Sequence, residues 1–280
     1  MLGAAAVLAF FAIHEGKLTR DAAGDVIEAD FTATWITDAD LARVGRHKKL
    51  RKLDLSHTKI TDAALEHLRG LTEVRELNCY YAEYLTEDGI GHLRGWKNLE
   101  KLNLRGTRVT SKVFDHIAQL TGLRDLDLAF TQIYDEGFEQ LGLLPKLEKL
   151  AIGGNLLTGS ALPLLKPLPA LTHLDLGGIQ RVDSGLWGLP LTAANLERIG
   201  QLTRLKWLSL SGATLADRGT DKPGNPEAER SELRDLSGLL GLKDLEFLDL
   251  SRQPVTEETL KPLSKLAKLK TIRAAPKAAK

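Results

Sequence analysis

Cysteine is nearly absent from this 280-residue chain, since Cys79 is the one example. A single cysteine excludes an intramolecular disulfide and the disulfide-closed ends common in extracellular proteins. A chain without disulfides fits a reducing compartment or a bacterial protein. We therefore expect a cytoplasmic location unless the chain carries an export segment.

Charge of one sign is also lacking, because 38 basic residues face 37 acidic ones and the net charge is +1. A protein that binds nucleic acid needs a basic excess to displace counterions from the phosphates. We therefore predict no nucleic-acid partner.

Long hydrophobic runs are lacking as well. The longest extends from Leu2 to Ile13, whereas a helix that spans a bilayer needs about 20 residues. We predict no membrane span and interpret residues 1–13 as a short apolar helix that packs onto the rest of the fold. The alternative is a signal or anchor segment, which would imply export, although no Lys or Arg precedes the run.

Motifs for catalysis and cofactor binding are missing too. The chain has no P-loop, no G-x-G-x-x-G, no G-x-S-x-G elbow and no H-E-x-x-H. His67, His92 and His116 share one column of the repeat described below, but side chains on helices about 10 Å apart rarely converge on one metal. Cys79 occupies the position of a core leucine, which favours a buried hydrophobic role. We therefore predict that the protein is not an enzyme and has no catalytic residues, no metal and no cofactor.

Leucine, by contrast, is abundant and regularly placed. The pattern L-x-x-L-x-L begins at Leu50 and returns at Leu99 and Leu123, and the last two starts are 24 residues apart. Self-similarity at such a period is the signature of stacked structural units. Nine full units and a final half-unit begin at Val26, Leu50, Val74, Leu99, Leu123, Leu147, Leu171, Leu205, Leu245 and Leu269.

Each unit has two halves with different periodicities. L-x-L alternation predicts a strand with one buried face. In the phrase that follows, Leu65, Leu68 and Leu71 are three residues apart, as on one face of a helix. Thr61 is placed as the N-cap of this helix, and Asp62 puts a carboxylate in its first turn, where the helix dipole favours it.

Stacking of such units buries the leucines and aligns the strands in a parallel sheet of about ten strands. Strands lie about 4.8 Å apart but packed helices need about 8–10 Å, so we expect strands on a concave face and helices on a convex face. The pattern L-x-x-L-x-L-x-x-T-x-I-T-D-x-x-L resembles the leucine-rich-repeat family, in the type common in bacterial and F-box leucine-rich-repeat proteins. The resemblance covers nearly the whole chain. It implies an α/β solenoid, a curved right-handed βα superhelix, and recognition of partners as a class of function. The residues before Val26 are too few for an F-box, so we expect none.

The repeats divide the chain into three predicted parts. Residues 1–25 form an N-terminal cap, in which Lys17 to Arg20 pairs as a hairpin with the first repeat strand. Residues 26–268 hold the nine repeats, with insertions near 178–190 and 218–232. Residues 269–280 form a C-terminal cap strand and tail. The insertion near 218–232 is polar and rich in Gly and Pro, so we expect a mobile rim loop there.

The exposed position between the ladder leucines is largely acidic. An acidic strip could bind a basic partner or a metal. We favour the alternative, a solubilising strip that the lysines of the next column partly neutralise. The residues of this column are Asp30, Asp54, Asn78, Asn103, Asp127, Ala151, Asp175, Ser209 and Asp249.

Exposed aromatic residues carry the binding hypothesis, because aromatic residues are rare here and are frequent interface anchors. Trp207 and Phe247 occupy one exposed strand column, and we group them with Trp187 of the first insertion as a C-terminal cluster. For Trp187, packing inside its own irregular loop is an equal alternative. The second predicted cluster consists of His57, Tyr80, Tyr81, Arg105 and Phe130.

These observations predict a monomeric protein-interaction module. It would bind a partner protein through the concave face and the C-terminal rim loops. The alternatives are a repeat protein that binds carbohydrate or peptidoglycan at a cell surface, and a purely structural solenoid.

Overall fold

The computed structural model describes residues 16–183, 185–213 and 235–274, and it divides the chain into two compact units, Met1–Asp127 and Leu128–Lys280. The apolar segment 1–13 and the insertion near 218–232 lie outside the described residues. The predicted helix and the predicted mobile loop therefore remain predictions.

The first unit contains one sheet whose strands follow each other in chain order. An N-terminal strand pairs antiparallel with the first repeat strand, as the predicted hairpin requires, and all later pairs are parallel. The hairpin covers the edge of the first repeat strand. The strands are β1 (Lys17–Arg20), β2 (Val26–Asp30), β3 (Lys52–Asp54), β4 (Glu76–Asn78), β5 (Lys101–Asn103) and β6 (Asp125–Asp127).

The second unit repeats this arrangement with an interruption. Its main sheet is parallel, in the order β7, β8, β11, β12 and β13, while β9 and β10 form a separate antiparallel hairpin. That hairpin lies in the predicted insertion near 178–190. The strands are β7 (Lys149–Ala151), β8 (His173–Asp175), β9 (Gln180–Val182), β10 (Gly185–Trp187), β11 (Trp207–Ser209), β12 (Phe247–Asp249) and β13 (Thr271–Arg273).

Most repeat strands lead through a loop into a short helical segment. In the first unit the α-helices are Asp38–Val44, Asp62–Leu68, Glu87–Gly91 and Val113–Ile117. The second unit has the α-helices Ala193–Gly200 and Glu257–Leu260, and the 3₁₀ segments Phe138–Leu143, Leu162–Leu165, Ser237–Gly241 and Lys261–Lys265. Proline at the start of two of these 3₁₀ segments removes a backbone donor, which favours a single tight turn. None of the helices in the described ranges has the length and apolarity that crossing a membrane would require.

The core is the predicted ladder of aliphatic side chains. Leu53, Leu77, Leu102 and Leu126 occupy equivalent strand positions and are at most 2% exposed. Cys79 is fully buried in the same ladder, and desolvation, with a smaller contribution from the charge of Asp54, raises the pKa of its thiol. The strand face opposite this ladder, which we call the open face, carries the polar and aromatic columns.

A bridge between repeats replaces the helix cap expected at Thr61. Thr61 stands at the N-cap position, but its hydroxyl makes no cap within its own helix. Instead its N–H and its Oγ1 donate to the carboxylate of Asp38 in the preceding repeat, at 2.8 and 2.6 Å. Thr86 donates to Asp62 in the same way. The acidic residue of the T-D phrase thus ties its repeat to the next one.

A third bridge of this kind, in which the N–H and the hydroxyl of Thr110 donate to the carboxylate of Glu87, predicts a pH dependence. Partial burial raises the pKa of Glu87, but the N–H groups of Glu87 and Thr110, the Thr110 hydroxyl and the charge of Lys112 together hold it below its ordinary value of 4.5. A lowered folded-state pKa means that the carboxylate stabilises the fold above the unfolded-state value, and that this contribution is lost as the pH falls through the folded-state value. We therefore expect Glu87→Gln to cost about 1 kcal/mol at pH 7 and to reduce the loss of stability between neutral pH and pH 3.

Urea titrations across this pH range measure the effect. Glu83→Gln is the matched control, because Glu83 is an exposed residue of the same repeat. Equal pH profiles for wild type and Glu87→Gln would contradict the bridge.

Candidate functional site

The side chains of the acidic column on the open face bind backbone groups at the ends of the strands, so they do not form a free acidic strip. In repeat after repeat, the side-chain oxygen of the column residue accepts the N–H two residues further on: Asp30 from Thr32, Asp54 from Ser56, Asn78 from Tyr80, Asn103 from Arg105, Asp175 from Gly177 and Asp249 from Ser251, all between 2.8 and 3.1 Å. The Thr32 N–H is the main reason why the pKa of Asp30 lies below its ordinary value of 3.8.

Asp54 illustrates how fully such a carboxylate is used. It also accepts the hydroxyl of Ser56, and its second oxygen accepts Asn78 Nδ2 at 2.8 Å. The sequence interpretation of a merely solubilising strip therefore needs correction. These side chains close turns and link repeats, which leaves them less available to a partner or a metal.

The next column of the open face holds Lys52, Glu76 and Lys101 in the first unit, and their opposite charges pair with each other. Glu76 lies between two lysines, with Lys101 Nζ at 2.8 Å and Lys52 Nζ at 3.9 Å from its carboxylate. The hydrogen bond to Glu76, reinforced by its charge, raises the pKa of Lys101. On this part of the open face, opposite charges satisfy each other.

In the second unit, three neighbouring strands place aromatic rings in the same column. Trp207 and Phe247 are paired residues of β11 and β12, and their rings stack with centroids 5.5 Å apart and planes at 0°. His173 of β8 continues the stack on the other side of Trp207, at 6.2 Å and 21°. All three side chains are partly exposed. We call His173, Trp207 and Phe247 the open-face stack.

Arg273 closes one end of this stack. Its guanidinium carbon lies 5.5 Å from the Phe247 ring centroid, and its Nη1 is 3.3 Å from Asp249 Oδ2. Sequence reasoning missed both His173 and Arg273. Aligning the repeats by column would have identified His173, because it falls at the position of Trp207.

Trp187 is not part of the open-face stack. It is 8% exposed and packs against Tyr134, with ring centroids 5.6 Å apart. The exposed apolar side chains near it are Leu186 and Ile179, at 38% and 39%. The contact with Tyr134 is to a residue of an earlier repeat rather than to its own loop, and because Trp187 is buried we leave it out of the proposed surface.

His57, Tyr80 and Tyr81 of the other predicted cluster do lie together. The His57 ring stacks on Tyr81 at 5.8 Å and meets Tyr80 edge-on at 5.1 Å. His57 and Tyr81 adopt positive φ angles of 55° and 52°, which are strained for residues other than glycine. The Tyr81 ring packs against Gly106: a Cβ there would lie 2.8 Å from the ring, so the glycine leaves room for the tyrosine.

Arg105 and Phe130, the remaining members of that prediction, have contacts within the chain. Arg105 Nε donates to Asp127 at 3.0 Å. The Phe130 ring covers two glycines of its own unit, since a Cβ at Gly154 or Gly178 would lie 2.7 or 2.5 Å from it. These contacts give both residues a structural role.

The histidine column of the helices offers no candidate metal centre. Arg94 Nη2 and His116 Nδ1 are 3.0 Å apart, and partial burial, followed by the charge of Arg94, lowers the pKa of His116. Within the described ranges, no group of three or more His, Cys, Asp or Glu side chains could hold a metal ion.

Sequence reasoning overlooked Trp35, whose side chain is the most exposed aromatic one among the described residues. Trp35 is 75% exposed, in the loop between β2 and the helix Asp38–Val44. Tyr84, in the equivalent loop two repeats later, is 47% exposed.

Comparisons with known proteins concern the fold. A family model described as "Leucine Rich repeat" matches residues 46–68. An internalin (InlF) from Listeria monocytogenes is 21% identical and has a TM-score of 0.55. The match covers 85% of this chain and 66% of that one, so this chain spans about two thirds of the length of InlF. Internalin C2 from the same organism is 19% identical, with coverages of 95% and 96% and a TM-score of 0.49. No curated protein matches the chain. The F-box-like subtype of the repeat is not confirmed by these matches.

Proposed function

Because the chain is a leucine-rich-repeat solenoid, we propose that it is a protein-interaction module whose main contact is the open face of the second unit, around Trp207 and Phe247. The partner is a protein, the module acts as a monomer, and it carries no catalytic site. The exposed residues Leu186 and Ile179, at the β9–β10 hairpin of the same unit, belong to a secondary rim contact.

The observation that carries this proposal is the open-face stack. Folding of the repeat does not require large aromatic side chains in this column, since the first unit uses Lys52, Glu76 and Lys101 there. Aromatic and arginine side chains are the usual anchors of protein interfaces. Here two stacked rings adjoin Arg273 on an exposed face. Such a group supports recognition rather than stability.

The ring geometry favours a protein over a carbohydrate at this place. Trp207 has the Phe247 ring on one side and the His173 ring on the other, both stacked. The faces of the indole are therefore covered, and its edges are left for a partner. Ring edges carry partial positive charge and interact well with aromatic faces and carbonyl oxygens, which a protein supplies. A sugar ring needs an open aromatic face.

The chemistry of the remaining candidates supports a role without catalysis. The only thiol, Cys79, is buried with a raised pKa, and a reactive cysteine needs the opposite.

The test is a double variant of the stack. Trp207→Ala with Phe247→Ala should weaken the partner by about 2 kcal/mol or more, the scale of interface anchors, or about 30-fold in Kd. The partner is first identified by quantitative capture with wild-type and variant protein, and its affinity is then measured by calorimetry.

Leu143→Ala with Leu164→Ala is the matched control. Both leucines are exposed apolar side chains of the same unit, at 55% and 40%, but they lie on its helical segments. Circular dichroism should report an unchanged fold for both double variants. Unchanged affinity for the stack variant, with loss of affinity in the control or on replacing His67, His92 and His116, would move the contact to the helical side. A purely structural solenoid would yield no partner whose capture depends on the stack.

A further inference from the structure

Within residues 16–127 of the first unit, the large side chains that are exposed are aromatic and not aliphatic. Among its described residues, Trp35 and Tyr84 are the large apolar side chains that are clearly exposed, at 75% and 47%. Trp35 lies in the loop that follows β2, and Tyr84 lies in the loop that follows β4. Each loop leads into a helix. The exposed aliphatic side chains Leu143, Leu164, Ile179, Leu186 and Ile272 all belong to the second unit.

Each of these aromatic rings carries a cation from the following repeat. Lys59 Nζ lies 4.9 Å from the centroid of Trp35, and the Arg108 guanidinium carbon lies 5.8 Å from that of Tyr84. The four residues share one position of the repeat, directly before the buried aliphatic residue that opens the helix phrase. Aromatic and cationic side chains therefore alternate over four successive repeats. We call Trp35, Lys59, Tyr84 and Arg108 the rim row.

The two cations of the rim row are available to a ligand. Both are exposed, and within the described part of the chain neither takes part in an ion pair. Lysines of the open face differ, because Lys52 and Lys101 both pair with Glu76. The row thus presents uncompensated positive charge between aromatic surfaces.

We propose that the rim row binds an acidic polysaccharide in which charged and uncharged sugars alternate. Each cation lies over one face of its aromatic ring, so the C–H face of a sugar ring stacks on the other face while the sugar carboxylates pair with Lys59 and Arg108. Strands of neighbouring repeats are about 4.8 Å apart and packed helices about 8–10 Å. The rim row lies between them, so residues two repeats apart are separated by about 10–20 Å, the order of one to two disaccharides. A row that alternates aromatic and cationic side chains matches a polymer that alternates neutral and anionic sugars.

Other occupants fit the row less well. Insertion into a lipid surface needs exposed aliphatic side chains beside the aromatic ones, and the described part of the first unit exposes none of large size. A simple polyanion would use the two cations but has no use for the aromatic rings. The cluster of His57, Tyr80 and Tyr81 lies in the same strand-to-helix loops. Its imidazole and phenol groups can form hydrogen bonds with sugar hydroxyls.

This site is independent of the open-face stack, so the two proposals can fail separately. The probe is a hyaluronan decasaccharide, which has one carboxylate per disaccharide, titrated by calorimetry at two salt concentrations. Its carboxyl-reduced form, poly-glutamate and anionic phospholipid vesicles serve as comparison ligands. Wild-type protein should bind hyaluronan at least tenfold more tightly than any of the three.

Substitutions separate the two contributions. Trp35→Ala and Tyr84→Ala should each weaken hyaluronan at least fivefold with little change in the salt dependence. Lys59→Gln with Arg108→Gln should weaken it at least tenfold and flatten the salt dependence, because screening acts on the ion pairs. Lys265→Gln, an exposed lysine of the second unit, and Trp207→Ala with Phe247→Ala should leave hyaluronan binding unchanged.

Three results would overturn the proposal. One is the absence of hyaluronan binding. Another is binding that survives Trp35→Ala and Tyr84→Ala and that poly-glutamate matches, since the row would then be a nonspecific cationic patch. The third is stronger binding to vesicles than to hyaluronan, which would assign the row to a membrane surface.

Discussion

Leu104→Asp should leave the protein unfolded at room temperature. Leu104 is fully buried in the ladder of the first unit, and its backbone N–H donates to Asp127 O at 2.8 Å across the sheet. A carboxylate at this position would lie among aliphatic side chains without a partner. Burying an unpaired charge costs several kcal/mol, which is a large part of the net stability of a typical protein. Far-ultraviolet circular dichroism and urea titration measure the loss.

The matched control lies one residue earlier in the chain. Asn103→Asp introduces the same carboxylate on the open face, where Asn103 Oδ1 accepts the Arg105 N–H at 3.0 Å and where other repeats already have Asp. This variant should fold with near wild-type stability. Leu128→Asp, at the equivalent buried position of the second unit, should resemble Leu104→Asp. Comparable losses for Asn103→Asp and Leu104→Asp would mean that the two faces of the strand are assigned the wrong way round.

Asn155→Leu should cost about 3–5 kcal/mol, the second largest effect expected. The Asn155 side chain is fully buried in the second unit. Its Oδ1 accepts the N–H of Thr131 and of Ile133 and the Thr131 hydroxyl, and its Nδ2 donates to Leu128 O and Ile152 O, all between 2.8 and 3.2 Å. Leucine has a similar size but would leave these backbone groups unpaired, at about 1–3 kcal/mol for each group that stays unsatisfied.

Asn98→Ala provides the comparison for this variant. Asn98 is exposed and makes one hydrogen bond, from Nδ2 to Thr72 O at 3.1 Å, so its loss should stay within about 1 kcal/mol. Urea titrations measure both variants. A loss at Asn155 no larger than that at Asn98 would indicate that water replaces the side chain, contrary to its burial.

Periodicity alone was sufficient to predict the architecture. The recurrence of L-x-x-L-x-L located a strand in every unit, because a leucine ladder can be buried only if the units stack in register. Asn155 shows the limit of that reasoning. Its position follows from the repeat, but four of its five hydrogen bonds depend on where residues of the preceding repeat lie.

The contacts between repeats could not be predicted from one unit. Asp62 looked like an ordinary first-turn acid, although it binds Thr86 of the next repeat, and Asp38 binds Thr61 in the same way. Phe130 looked like an exposed anchor, but the missing side chains of Gly154 and Gly178 make room for its ring. In both cases the partner lies 22 or more residues away, and its proximity is a property of the stack.

The candidate site was partly visible in the sequence. Trp207 and Phe247 stand out because other repeats place charged residues in their column, and the structure stacks them. Trp35 was missed because it is an isolated aromatic residue directly before the first helix phrase. Only alignment with Lys59, Tyr84 and Arg108 reveals the alternating rim row.

Hydroxyl-radical footprinting of the free and the partner-bound protein tests the central claim most directly. Trp207 and Phe247 are partly exposed, and Trp35, at 75% exposure, is an internal reference in the same sample. If the partner binds the open face of the second unit, the oxidation of Trp207 and Phe247 should fall sharply while that of Trp35 stays unchanged. Unchanged oxidation of Trp207 and Phe247 in the complex, with protection of the helical side around His67, His92 and His116, would contradict it.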